Sequence, residues 1–281
     1  MVKIVTDTAC NLPAAWLDQY QITRVPFNIQ FGLETFREGI DITPETFYQR
    51  IQTEARLPTT SQPAVGEFIR TYQTLGNESE AELLSIQLTS RLSGAWQAAR
   101  LAADQVDDRL KVHVIDSLTG SVGLGLMVRE AAQLAQSGLS AAEIVPRLEA
   151  RREQIKVFIM LKDLRYVRMS GRVGALRETL ASLLNVKPII GVQAGALAPL
   201  DRVRGQKKGF ERMLTLAGEL VGDAPVHVGM THALAPTEAE RLLAQIKTRL
   251  NCRDTFITEL ALSLAVHFGP GTVGFATYPA E

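Results

Sequence analysis

The chain has 281 residues, 46% of them hydrophobic, with Lys plus Arg and Asp plus Glu balanced at 30 each. That length exceeds one comfortable core and points to two domains, and the apolar content excludes a disordered chain. The absence of a basic excess argues against a nucleic-acid binder, and no run of about 18 apolar residues reads as a membrane span. The N-terminal run Met1-Val2-Lys3-Ile4-Val5 is too short for a signal peptide. Cys10 and Cys252 have no C-x-x-C spacing and read as free thiols, so a reducing, cytoplasmic setting is expected.

Residues 2–5 read as a short strand ending in Thr6-Asp7-Thr8. In open α/β sheets, ligands gather outside such carboxyl ends. Asn11-Leu12-Pro13 predicts a helix start with Asn11 as its cap, and residues 22–31 alternate as strands do. Thr43-Pro44-Glu45 opens a helix running to about Glu54: hydroxyl, proline and acid stand where a positive helix end wants them. Between Pro58 and Pro63 three hydroxyls, Thr59, Thr60 and Ser61, sit in a stiffened loop ahead of a helix over 65–75.

Residues 84–88 alternate with a period of two, then Thr89-Ser90-Arg91 turns, and Ser93-Gly94 opens an alanine-rich helix. Ser93 can cap that end or turn its hydroxyl toward an anion, and Gly94 lets a ligand approach its backbone. A strand over 112–115 ends in Asp116-Ser117, a helix follows over 123–136, and Ser140 with Glu143 forms a capping box for a helix to about Gln154. Alternating strands and helices predict a parallel sheet with helices on both faces. Beyond residue 155 the pattern changes. Strands over 157–161, 187–192 and 196–200, the last two turning at Gly195, predict a hairpin in a mixed or antiparallel sheet. Helices are expected over 164–169, 176–184, 206–220 and 238–250, with strands over 226–230 and 255–259.

Gly269 to Gly274 fits G-x-G-x-x-G by letter, but too few residues follow for a dinucleotide fold. No pair among His113, His227, His232 and His267 has metal-ligand spacing, so no metal site is expected. Asn77-Glu78-Ser79 is a glycosylation sequon without meaning in a cytoplasmic chain. Ser93, His267 and either Asp7 or Asp116 fall at inferred loop ends, which keeps an acyl hydrolase as the rival reading, although the G-x-S-x-G elbow is missing. Arg165, Arg168, Arg172 and Arg177 form one basic cluster, and Arg202, Arg204, Lys207 and Lys208 another. They are either solvated faces or a docking patch for an acidic partner.

Several stretches in order resemble the DegV family of bacterial fatty-acid-binding proteins. They are Ile4-Val5-Thr6-Asp7, Pro58-Thr59-Thr60-Ser61-Gln62-Pro63, Leu92-Ser93-Gly94, Ile115-Asp116-Ser117, Leu164-Arg165-Tyr166-Val167, Gly171-Arg172-Val173, Val186-Lys187-Pro188-Ile189, Val203-Arg204-Gly205 and His267-Phe268-Gly269-Pro270-Gly271-Thr272. The resemblance implies an α/β fold of two domains: a three-layer α/β/α unit with a parallel sheet over 1–154, and an α/β unit with a mixed sheet over 155–281. It implies a carrier rather than an enzyme, with a long-chain fatty acid such as palmitate between the domains and no cofactor. The carboxylate would lie at Thr60, Ser61, Ser93 and the Gly94 backbone, with His267 near the head group. A separate fatty-acid kinase would phosphorylate the carboxyl group. Arg172 and Arg204 would then touch that partner or the phosphorylated head, and transient membrane contact stays open.

Overall fold

The computed structural model describes residues 2–54, 56–76, 82–107, 109–172 and 187–280. The helix expected over 176–184, Arg177, Val173, Val186 and the sequon Asn77-Glu78-Ser79 lie outside the described residues.

The first half runs β1 (Val2–Asp7), α1 (Ala14–Gln19), β2 (Thr23–Val25), β3 (Asn28–Phe31), β4 (Glu34–Arg37), α2 (Pro44–Thr53), β5 (Thr59–Ser61), α3 (Val65–Gly76), β6 (Glu82–Gln87), α4 (Ala95–Ala103), β7 (Val112–Asp116), α5 (Ser121–Gln136) and α6 (Ala141–Arg151). Four of its strands form a parallel sheet in the order β2-β1-β6-β7. Side chains alternate across a strand, so each face can be read from sequence parity. Val5 and Leu83 pack with Phe68, Tyr72, Ala98 and Ala102 of α3 and α4. Ile4, Leu84 and Ile86 pack with Leu124, Met127 and Val128 of α5. Both faces are therefore covered, as parallel sheets require, and this unit has three layers.

Asn11 does not cap α1. The helix begins three residues later with Pro13 in the cap position and no side-chain cap. Asn11 is too far upstream to reach the first-turn N–H groups. Its amide instead donates to the Glu259 carbonyl at 2.6 Å and accepts the Ser121 hydroxyl at 2.9 Å. The stretch expected as a proline-bounded loop is also more ordered. Residues Thr59–Ser61 form an edge strand of a small antiparallel sheet, order β4-β3-β5, with Thr60 opposite Ile29. An edge strand tolerates flanking prolines because one side of it needs no donors.

A 3-10 turn, Arg152–Gln154, leads into β8 (Lys156–Met160), α7 (Leu164–Met169), β9 (Lys187–Gln193), β10 (Ala196–Val203), α8 (Gln206–Val221), β11 (Val226–His232), α9 (Pro236–Arg249), β12 (Cys252–Glu259), α10 (Leu262–Phe268) and β13 (Val273–Pro279). Their six strands form one mixed sheet, order β10-β9-β8-β13-β11-β12, with only β11 and β12 parallel. The β9–β10 hairpin turns at Ala194 and Gly195, both at positive φ (46° and 81°), as a tight two-residue turn demands. Phe158, Met160 and Phe275 face Met213, Leu214, Leu242 and Ile246 of α8 and α9. Val157, Ile159 and Ala276 face the other way, into the core that contains α5.

Helix α5 thus lies between the two large sheets, and a single apolar cluster runs through both halves of the chain. Arg129 on α5 is buried there. It bonds both oxygens of Asp254 on β12 at 3.1 Å and lies 4.8 Å over the Trp16 ring. Among the described residues no helix is long and apolar enough to cross a membrane.

Candidate functional site

Strand β6 delivers its polar turn to the seam between the two large sheets. Asp7, at the end of neighbouring β1, accepts the Leu88 N–H at 2.7 Å and the Ala9 N–H at 3.0 Å. Thr89 donates its hydroxyl to the Gly195 carbonyl at 2.9 Å, tying the turn to the β9–β10 hairpin. Gly195 has to be glycine here, since a Cβ would lie 2.4 Å from Thr89 Oγ1. The turn ends at Ser93 and Gly94, and Gly94 rather than Ser93 occupies the cap position of α4. Ser93 Oγ still accepts the Ala95 N–H at 3.2 Å, which leaves its proton free to donate elsewhere.

Two other elements meet that corner. Strand β5 brings Thr60 and helix α10 brings His267, with Thr60 Oγ1 and His267 Nε2 2.9 Å apart. Ser93, Gly94, Thr60 and His267 line one cavity, with Arg172 also in its wall. The Arg172 guanidinium is held at the mouth by the Ser170 carbonyl at 2.8 Å and the Leu92 carbonyl at 3.5 Å. Leu88, Leu92, Leu197, Leu264 and Phe268 are shared with a second cavity, whose far walls include Val157, Ile159, Val192 and Phe275. The first space has polar groups in its wall, and the adjoining one is lined mainly by hydrocarbon.

Apart from the Arg172 guanidinium, the polar corner is built of neutral groups. Burial, and to a lesser degree the positive charge of Arg172, pushes His267 from 6.5 down to about 4. Its imidazole is neutral near pH 7. Its Nδ1 is buried and has no hydrogen-bond partner among the described residues.

The expected site residues therefore divide. Thr60, Ser93, Gly94, His267 and Arg172 converge on the cavity. Ser61 is not in its wall; neighbours on a strand point to opposite faces, and the Ser61 hydroxyl accepts an N–H from the Gln30 amide at 2.9 Å. Arg204 is exposed just past β10 and is not in the wall either. Gln62, Ser170, Ser263 and Phe27 do line the cavity, and the residue-by-residue reading of the sequence did not single them out. Gln62 had a signal: it is two residues from Thr60 in extended chain and so shares its face. It also explains Gly94, where a Cβ would meet the Gln62 amide at 3.0 Å.

A Ser–His–Asp chain is not assembled among the described residues. His267 Nε2 pairs with Thr60, not with Ser93. Asp7 is engaged by the Leu88 and Ala9 N–H groups, and Asp116 by those of Ser90 and Leu118. No cluster of three or more His, Cys, Asp or Glu able to hold a metal occurs among the described residues.

A family model described as "Uncharacterised protein, DegV family" matches residues 1–280. Protein DegV of Bacillus subtilis is 30% identical over 275 residues, 97% of each chain. A DegV domain-containing protein of Deinococcus radiodurans is 33% identical over 283 residues, 99% of this chain and 98% of its own. Among solved structures, one described as fatty acid binding of a DegV family protein from Thermus thermophilus superposes with a TM-score of 0.94, at 29% identity over 99% of both chains. The structure of Bacillus subtilis DegV, described as a fatty acid binding protein, gives 0.90 at 28% identity over 99% of both.

Proposed function

This chain belongs to the DegV family, and from that membership we propose that it carries a long-chain fatty acid in the cavity between its sheets. The observation that supports this reading is that the polar corner at Thr60, Ser93 and His267 adjoins an apolar space across shared walls, Leu88, Leu92, Leu197, Leu264 and Phe268. A fatty acid has that same division. Burying a tail of ~16 carbons at ~0.8 kcal/mol per methylene amounts to ~10 kcal/mol or more before ordering costs. A hydroxyl bonded to the carboxylate adds ~1.5–3 kcal/mol. The tail then sets affinity and the hydroxyls set orientation.

In this reading the Ser93 hydroxyl, already accepting from Ala95, donates to one carboxylate oxygen. Thr60 donates to the other while its oxygen accepts from His267 Nε2. The Gly94 backbone closes the corner at short range. Ser61 acts behind this layer, through Gln30. A head held by neutral donors remains open to chemistry, because no strong ion pair has to break. We assign that chemistry to a separate fatty-acid kinase, for which Arg172 at the mouth and exposed Arg204 supply positive contacts. The two lobes divide between residues 154 and 155 in this scheme, and the protein works in the cytoplasm as a carrier, without catalysis of its own.

Organic extraction of the purified protein followed by mass spectrometry tests the proposal. About one long-chain acid per chain is expected, or stoichiometric uptake of added palmitate by stripped protein. Finding neither overturns it.

A further inference from the structure

Helix α10 carries His267 and also Ser263, Leu264 and Phe268 of the cavity wall. Its cap residue is Ala261, which has no side chain able to receive the first-turn N–H groups. The Ser263 N–H is met instead from the other half of the chain. Glu38, 225 residues earlier, accepts the Ser263 N–H on Oε1 at 3.0 Å. Its other oxygen accepts the Thr8 hydroxyl, and Thr8 Oγ1 in turn accepts the N–H of Phe27, itself a cavity residue, at 3.0 Å. Glu38 is only 5% exposed. Taking a carboxylate out of water is costly unless donors surround it.

The arrangement has a second contact. Ser263 and His267 are four residues apart and share a helix face. Glu38 follows β4 and Thr60 lies in β5, two strands of the same three-stranded sheet. That sheet therefore holds α10 at two points, Glu38 on the Ser263 backbone N–H at its first turn and Thr60 on the His267 ring one turn on. We propose that Glu38 is a positioning residue for the head group: it fixes α10 against the small sheet so that His267 stays in register with Thr60. The inference rests on the fatty-acid reading for its ligand, and on the two-point grip for its geometry.

The test compares wild type, Glu38→Ala and Glu38→Gln for affinity toward palmitic acid and toward the alcohol of equal chain length, which lacks the carboxylate. It also follows the His267 ring by NMR titration in stripped protein. Glu38→Ala should weaken acid binding about tenfold, the size of one lost head-group hydrogen bond, and leave alcohol binding within about twofold. Its His267 should titrate well above the wild-type value of about 4 as water reaches the loosened ring. Glu38→Gln, which can still accept from Ser263 and donate to Thr8, should restore both readouts. If Glu38→Ala does not fold, Thr8→Val, which removes one side of the clamp, should shift both readouts the same way by less. Equal losses for acid and alcohol, or an unmoved His267 titration, overturn the proposal. Wild type that binds neither lipid would instead refute the carrier reading, and the His267 titration would still decide the role of Glu38.

Discussion

Acidifying the empty protein should expose His267 as a stability liability of definite sign. Its ring has Thr60 on one nitrogen and no partner on the other, and burial assisted by Arg172 holds its protonation down to about 4. The unfolded chain takes up the same proton near 6.5. Between those values the unfolded state binds the proton and the folded state does not, so stability falls as pH drops. The contribution is whole above pH 6.5 and gone below 4. A fall from 6.5 to about 4, at about 1.36 kcal/mol per pH unit and allowing for partial exposure of the ring, corresponds to about 2–3 kcal/mol. His267→Gln keeps a neutral partner for Thr60 without the titration. Urea unfolding of both proteins at pH 7.5 and pH 4 should show a pH-dependent loss about 2–3 kcal/mol smaller in the variant. In the empty protein the His267 ring protons should titrate near 4, and binding of a carboxylate beside the ring should raise that midpoint. A midpoint of 6 or above in the empty protein, or equal pH-dependent losses in the two proteins, would refute the reasoning.

Three further outcomes are expected. Thr60→Val combined with Ser93→Ala should cost palmitate about a hundredfold or more in affinity in a competition assay, with a much smaller loss for the equal-length alcohol, since each hydroxyl–carboxylate bond adds ~1.5–3 kcal/mol. Gly269→Ala should lower stability by about 2–4 kcal/mol in thermal melts: Gly269 has a φ of 77°, and a Cβ there would lie 2.2 Å from the Tyr166 ring. Asp7 should act on the alkaline side. Burial holds its proton to about 7 against 3.8 in the unfolded chain, so the stability it lends is whole below 3.8 and lost as pH rises through 7. Asp7→Asn should flatten that decline between pH 5 and 8 in urea titrations, whatever its effect at a single pH.

What could be read from the sequence was mostly what short-range chemistry specifies. Thr43 accepts the Thr46 N–H at 3.3 Å as its helix-start pattern implied, and Glu143 closes on the Ser140 N–H at 2.9 Å. The Gly195 hairpin and the Ser93-Gly94 turn after a parallel strand were legible for the same reason: the residues that make each feature are neighbours. Thr60 and His267 are 207 residues apart, and only the family resemblance placed them together. Where distant segments meet, local patterns fall silent. Residues 59–61 looked like a loop because their strand partner, β3, lies 31 residues upstream. Asn11 resembled a cap, yet tertiary contacts with Ser121 and Glu259 claimed its amide. Glu38 follows an exposed hairpin strand and carries no motif, and nothing nearby in sequence tells that it reaches α10.

The placement of α5 bears on how cargo could be exchanged. A helix packed into both large sheets, and pinned to the second by Arg129 and Asp254, joins the halves into one mechanical body. A clamshell that swings wide would have to break a continuous core, and close-packed interiors resist such motion. In the carrier reading, a molecule as long as a palmitate slips in endwise past displaced rim side chains, much as a cable is fed into a conduit. Loading rate should accordingly respond to the girth of the acyl terminus more than to its overall length.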